Sequence, residues 1–235
     1  ISSIIGYNFY WDRTNDPIRP SRGFDFRFSQ DFAGLGGDVK YLRTETSATF
    51  YRGIWKSMIA SARFSGGYVF PLEDGQGVRI NNRFFRGGST FRGFDVAGLG
   101  PREIVKEVDP ETGEVIRTRR LNSQGGNAYY QGTFELSLPN FLPEEYGIRS
   151  ALFTEVGSLG TLRGSDVGQT IYYTSQSGNP SVRMTKTAAS LRASAGLSVF
   201  WDSPFGPIRF DFSQILRKED YDRTETFRFS TSTRF

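Results

Sequence analysis

The chain has 235 residues, with 29 Lys and Arg against 25 Asp and Glu, 22 Phe, 27 Gly, and neither Cys nor His. Without thiols or imidazoles, the familiar zinc sites, thiol nucleophiles and histidine acid–base devices are excluded, and a disulfide framework is impossible. The net charge of +4 comes from basic residues spread singly rather than gathered on one face. That argues against a nucleic-acid partner, and no metal or cofactor is expected.

This length suits one β-domain. No run of about 18 apolar residues is present, so no transmembrane helix is predicted. The mean hydropathy of −0.43 is no guide to a membrane barrel, whose strands alternate lipid-facing and lumen-facing residues. The chain opens at Ile1 without a methionine or a signal segment, as expected of a mature fragment or an excised domain.

The residue pattern has period two almost throughout, the mark of strands with two different faces. The first predicted strand, about Ser2 to Asp12, sets Ile5, Tyr7, Phe9 and Trp11 against Gly6, Asn8 and Tyr10. A turn rich in Asn, Asp and Pro (Arg13 to Gly23) leads to strand two, where Phe24, Phe26 and Phe28 oppose Asp25, Arg27 and Ser29. After a glycine-rich loop (Gly34 to Asp38), strand three, about Lys40 to Tyr51, sets Leu42, Thr44, Thr46, Ala48 and Phe50 against Tyr41, Arg43, Glu45, Ser47 and Tyr51. Strand four, about Lys56 to Phe70, follows closely, with Met58, Ala60, Ala62 and Phe64 opposite Ser61, Arg63 and Ser65.

A long segment from Pro71 to Gly126 comes next, and connections of this length are usually functional or disordered. Its second half, Glu103 to Arg119, reads as a charged hairpin around the turn Asp109 to Gly113. Its first half holds Phe91-Arg92-Gly93-Phe94 inside the glycine-punctuated run from Phe84 to Gly100. Strand five, about Asn127 to Leu138, points Tyr130, Gly132, Phe134, Leu136 and Leu138 outward and Gln131, Thr133, Glu135 and Ser137 inward. Beyond a proline-bounded turn (Pro139 to Gly147), strand six, about Ile148 to Leu159, sets Leu152, Thr154 and Val156 against Arg149, Ala151, Phe153 and Glu155.

A Ser/Gly/Thr loop is expected to about Thr187. In strand seven, Leu191, Ala193, Ala195, Leu197, Val199 and Trp201 oppose Arg192, Ser194, Ser198 and Asp202. The turn Ser203 to Pro207 opens strand eight, where Ile208, Phe210 and Phe212 oppose Arg209, Asp211 and Ser213. A charged loop, Arg217 to Glu225, precedes the last strand, Phe227 to Phe235.

The expected fold is therefore all-β: an antiparallel transmembrane β-barrel of about nine strands, forming one domain over residues 1–235. Its variable connections follow strands two, four, six and eight, the layout of an outer-membrane barrel, which puts the C-terminus at the short-turn, periplasmic end. A soluble β-sandwich also alternates, but one or two inward Arg or Asp residues per strand count against it. Segment 71–126 is expected to fold into the lumen. A guanidinium buried there needs carboxylate partners, and Arg suits bidentate pairing. Alternation nominates Glu135 and Glu155, inward on neighbouring strands, as partners for Arg92. Gly87, Gly88 and Gly93 are expected to permit tight turns, and Phe84, Phe85, Phe91 and Phe94 to pack the segment against the wall. No covalent catalysis is argued from these residues.

The run Phe85 to Phe94, with Gly98-Leu99-Gly100-Pro101 after it, is similar to the lid-loop segment of BamA-type outer-membrane assembly factors, members of the surface-antigen and POTRA-transporter superfamily. The Leu138-Pro139 to Leu142-Pro143 turn, the Ser203 to Phe210 run and the closing aromatic strand fit the same family, so the resemblance covers the chain in order. It implies the last nine strands of a sixteen-stranded barrel, with the POTRA domains and leading strands absent. The odd count cannot close as an ordinary up-and-down barrel. It also implies a lid-loop arginine docked on acidic lumen residues, and a weakly paired last strand that serves as a lateral gate and assembly signal. Phe227, Phe229, Thr231 and Phe235 would carry that role, though Ser232 stands where a glycine is usual. The implied function is non-enzymatic insertion of outer-membrane proteins. The implied partners are outer-membrane lipids, unfolded outer-membrane protein clients, and the assembly lipoproteins and POTRA domains of a full-length protein. A TamA-like or two-partner secretion barrel, or a passive barrel or surface antigen, are the alternatives.

Overall fold

The computed structural model describes residues 3–34, 36, 39–55, 58–73, 77–139, 146–160, 170–174, 179–187, 189–204 and 206–231. In chain order its strands are β1 (Ile4–Asp12), β2 (Arg22–Ala33), β3 (Tyr41–Trp55), β4 (Met58–Pro71), β5 (Arg102–Val108), β6 (Val115–Ser123), β7 (Ala128–Ser137), β8 (Ile148–Gly160), β9 (Ile171–Thr174), β10 (Pro180–Lys186), β11 (Arg192–Ser203), β12 (Gly206–Arg217) and β13 (Phe227–Thr231). Nine of them form one antiparallel sheet in the order β1-β2-β3-β4-β7-β8-β11-β12-β13. These are the nine strands that the period-two pattern delimits. β1 and β13 are the two ends of that order, so among the described residues the sheet is an open section of barrel wall.

The register explains why the pattern is so regular. Phe9 lies opposite Phe28, Phe24 opposite Phe50, and Phe212 opposite Phe227. Rings meet edge-on at 5.2 Å between Trp11 and Phe24, and at 5.7 Å between Phe64 and Phe134. Each such cross-strand pair contributes roughly 0.2–1 kcal/mol. One-residue slips are disfavoured, because each would exchange the two faces.

The faces are inverted relative to a soluble protein. Phe64, Phe134 and Phe212 are about half exposed on the outer face, whereas Glu155 is 3%, Asp211 1% and Arg192 0% exposed within. A sandwich would cover those phenylalanines with a second sheet. Here only lipid suits them, and the longer strands of the sheet, at 12 to 15 residues, exceed the 9–11 residues that span a bilayer when tilted.

The apolar core sits against the inner face, where Phe84, Phe91, Phe94 and Leu99 pack on Val69, Tyr129 and Leu159. The long connection between β4 and β7 is therefore two structures. Its first part lies on the wall; its second is the β5–β6 hairpin. The hairpin turn is built by Asp109, whose side chain accepts the backbone N–H groups of Glu111 (2.8 Å) and Thr112 (3.0 Å). Those bonds hold its carboxyl below the usual carboxylate range.

A second, four-stranded sheet runs β6-β5-β10-β9. The expected loop to Thr187 thus contains two strands that the sequence pattern does not disclose. β9 (IYYT) is built of strand-favouring residues but is only four residues long, and β10 is held between it and β5, more than 70 residues upstream, a pairing that a local pattern does not reveal. Of the expected turn Pro139 to Gly147, residues 140–145 lie outside the described residues. The same holds for Ser232 and Phe235.

Candidate functional site

The site is built where residues 84–101, within the segment expected to form a lid, meet β7, β8, β11 and β12. Gly87, Gly88 and Gly93 have φ of 125°, 62° and 89°, conformations that side-chain-bearing residues rarely adopt. The Gly88 N–H donates to the Phe94 carbonyl at 2.7 Å, closing the tip into a compact ring. Gly93 has a second reason to be glycine. A Cβ there would stand 2.7 Å from Ile215 Cδ1 and 3.0 Å from Ser194 Cβ, so the backbone itself touches the wall. Phe91 and Phe94, 1% and 0% exposed, meet edge-on at 5.2 Å. Phe84 is buried too, but Phe85 is 37% exposed. It does not pack inward as expected, because its neighbours Phe84 and Arg86 take the wall-facing positions.

Between these rings Arg92 is driven into the wall with only 3% of its side chain exposed. Its Nε donates to Glu155 Oε1 at 2.5 Å and its Nη1 to Glu135 Oε2 at 2.9 Å. Glu155 also accepts the Arg92 backbone N–H through Oε2 at 2.9 Å, so one carboxylate holds both side chain and main chain. The guanidinium lies 3.7 Å from the centre of the Phe153 ring. Space for that ring comes from Gly196 on the neighbouring strand, where a Cβ would fall 2.7 Å from Phe153 Cζ. Removing one partner of a buried, hydrogen-bonded ion pair costs about 3–5 kcal/mol, because the other charge is left stranded.

The sequence pattern nominates Arg92, Glu135 and Glu155, and the structure places both carboxylates within hydrogen-bond reach of Arg92. It adds others. Arg92 Nη1 donates to Ser198 Oγ at 2.9 Å, and Ser198 donates in turn to Asp211. Arg209 Nε reaches Asp211 Oδ1 at 2.8 Å. Ser194 Oγ donates to the Arg92 carbonyl at 2.6 Å, beside a bulge between β11 and β12 at Ala193/Ser194. Gln131 Nε2 donates to the Thr90 carbonyl at 2.8 Å. All five have inward places in the alternation, but being inward does not by itself say which residues the lid will touch.

The terminal-strand residues lie apart from this cluster. Phe227, Phe229 and Thr231 pair with Phe212, Phe210 and Ile208. Phe227 and Phe229 are about half exposed on the outer face. Beyond β12, β13 has no other strand neighbour among the described residues.

An antiparallel sheet that is apolar outside and charged inside, with a loop clamped by a guanidinium to its inner carboxylates, is wall from an outer-membrane β-barrel. Residues 1–235 match the Omp85 superfamily domain, and the chain belongs to that superfamily. It is 33% identical, over its full length, to the outer membrane protein assembly factor BamA of Neorickettsia risticii. It is 28% identical over 69% of its length to the human sorting and assembly machinery component 50 homolog. The chain spans 28% and 32% of those two relatives. In fold it is similar to BamA from Haemophilus ducreyi lacking POTRA domains 1-3, with a TM-score of 0.73 at 20% identity, over 96% of this chain and 41% of that one.

Proposed function

We propose that this chain is the C-terminal part of a barrel that assembles and inserts other outer-membrane proteins, with residues 84–101 as its lid and β13 as its gate strand. The observation that carries the reading is the grip on Arg92: a loop held on the inner wall by two carboxylates is a built device, which a passive barrel does not need. The names of the matched relatives, an assembly factor and a sorting and assembly machinery component, favour assembly over secretion. The role is non-enzymatic. Its partners would be membrane lipids, unfolded barrel clients whose strands pair with an exposed edge, and, in a full-length protein, POTRA domains and assembly lipoproteins.

The test is client folding in liposomes carrying the full-length protein. An insertase accelerates client folding over empty liposomes; a passive barrel leaves the rate unchanged, and that result overturns the proposal. Orientation is tested on intact cells. With the C-terminus periplasmic, external protease cuts within 109–113 at the tip of the β5–β6 hairpin and spares 139–147.

A further inference from the structure

The Arg92 clamp fixes only one side of the lid. The other side is held by the connection between β12 and β13, residues 218–226. There the lid behaves as a short strand. Phe94 and Thr224 form an antiparallel bridge, the Asp95 N–H donates to the Arg223 carbonyl at 3.0 Å, and the Glu225 N–H donates to the Gly93 carbonyl at 3.0 Å. The Arg223 N–H reaches the Gly98 carbonyl at 2.9 Å. None of these bonds depends on Arg92.

A buried ion pair holds that connection in place. Asp222 and Arg192 are both fully buried in their side chains, with Nε to Oδ2 at 3.0 Å. Arg192 also donates to Tyr221 Oη at 3.2 Å and to the Ser190 carbonyl at 2.8 Å. Asp222 further accepts the Glu219 N–H at 2.8 Å and, from the lid, the Gly100 N–H at 3.3 Å. One carboxylate thus ties together β11, its own loop and the lid. The strand that follows is engaged as well. Arg228, on the inner face of β13, pairs with Glu225 and approaches Asp95 at 3.9 Å. A Cβ at lid residue Gly88 would lie 3.3 Å from its guanidinium.

We infer that residues 218–226 form a second docking station for the lid, with Asp222 and Arg192 as its positioning residues, so that the lid and the terminal strand hold or release together. Three backbone hydrogen bonds and a shared carboxylate cannot persist if either member moves away alone. A coupling of this kind is reciprocal: whatever loosens the lid loosens β13 by the same factor. The inference rests on the lid lying where it does and not on the insertion activity.

Amide hydrogen exchange on the full-length protein in lipid nanodiscs tests it in both directions. Asp222→Asn is expected to speed exchange across lid residues 88–100 about tenfold, within the range of ordinary coupling energies. Arg92→Ala is expected to speed exchange across 222–231 to a similar degree, although none of those residues touches Arg92. Asp222→Glu, which keeps the charge, is expected to restore most of the lid's protection. If Asp222→Asn fails to fold, judged by loss of the heat-modifiable barrel band on electrophoresis, Glu225→Pro removes one backbone donor to the lid, together with the carboxylate on Arg228, and leaves the Asp222–Arg192 pair intact. Faster exchange confined to 218–226 in the loop variants, or an unchanged 222–231 in Arg92→Ala, overturns the inference. Client folding is not read, so loss of the insertase proposal leaves this result standing, and the reverse also holds.

Discussion

The inner face of the sheet has two halves that share a composition and differ in fate. Under the lid, on β8, β11 and β12, Glu155, Ser194, Ser198 and Asp211 are at most 3% exposed, and each is bonded to Arg92 or to a neighbour of it. On β1 to β4 the same alternation puts Asn8, Arg27, Glu45 and Arg63 on a hollow of about 960 Å³ whose far side is formed by the lid residues Arg86, Ser89, Thr90 and Arg92. Arg27 stands 3.8 Å from Asp25 with 62% of its side chain exposed, a pairing in which solvent screening leaves little net energy. Period-two polarity therefore says only that a residue faces inward. Whether its charge becomes part of a lock or stays wet depends on whether another segment excludes water above it.

The largest expected effect is in the covered half. Arg92→Glu places a third carboxylate against Glu135 and Glu155 and should release the lid, with a loss of about 3–5 kcal/mol of docking energy. The check is protease or maleimide access to a cysteine at Leu99, in a chain that has no cysteine of its own. Adding Glu155→Arg should rescue only in part, since the Arg92 backbone N–H would still lose its acceptor; no recovery from reversal at either Glu155 or Glu135 would refute the pairing. Next in size is Gly93→Ala. A left-handed backbone costs a side-chain-bearing residue roughly 1–2 kcal/mol, and the contact with Ile215 adds to this. The same cysteine should label faster than in the parent and slower than in Arg92→Glu. Smallest is Arg63→Ala in the open half, expected to fall within about 0.5 kcal/mol in a denaturant titration of the barrel. A large loss there would mean that the open half is also covered, and the contrast between the halves would fail.

The wall was legible because every strand repeats one local rule. A phenylalanine against a charge, as in Phe26 and Arg27, fixes both the strand state and the face. Arg92 and its two glutamates were legible because a buried guanidinium has few chemical solutions and the neighbouring inward acids are few. The rest depends on contacts that leave no local trace. β9 and β10 are too short to stand out, and β10 is placed as a strand by β5 on one side and β9 on the other. Ser198, Asp211 and Arg209 extend the Arg92 network through a hydroxyl that resembles any other inward serine. Residues 218–226 read as a charged loop, because most of their bonds to the lid are made by backbone atoms.

The pairing of β5 with β10 has a consequence for the lid as a tethered ligand. It closes off the second half of the β4–β7 connection, so the segment that carries the lid runs only from the end of β4 at Pro71 to the start of β5 at Arg102. Held at both ends, the lid tip is presented to its socket at an effective concentration on the order of millimolar. At that concentration an intrinsic dissociation constant of about 10 μM keeps the socket filled about 99% of the time. The clamp can therefore be individually weak and still be closed at rest, and a lid displaced by a competing strand returns without having to search for its site.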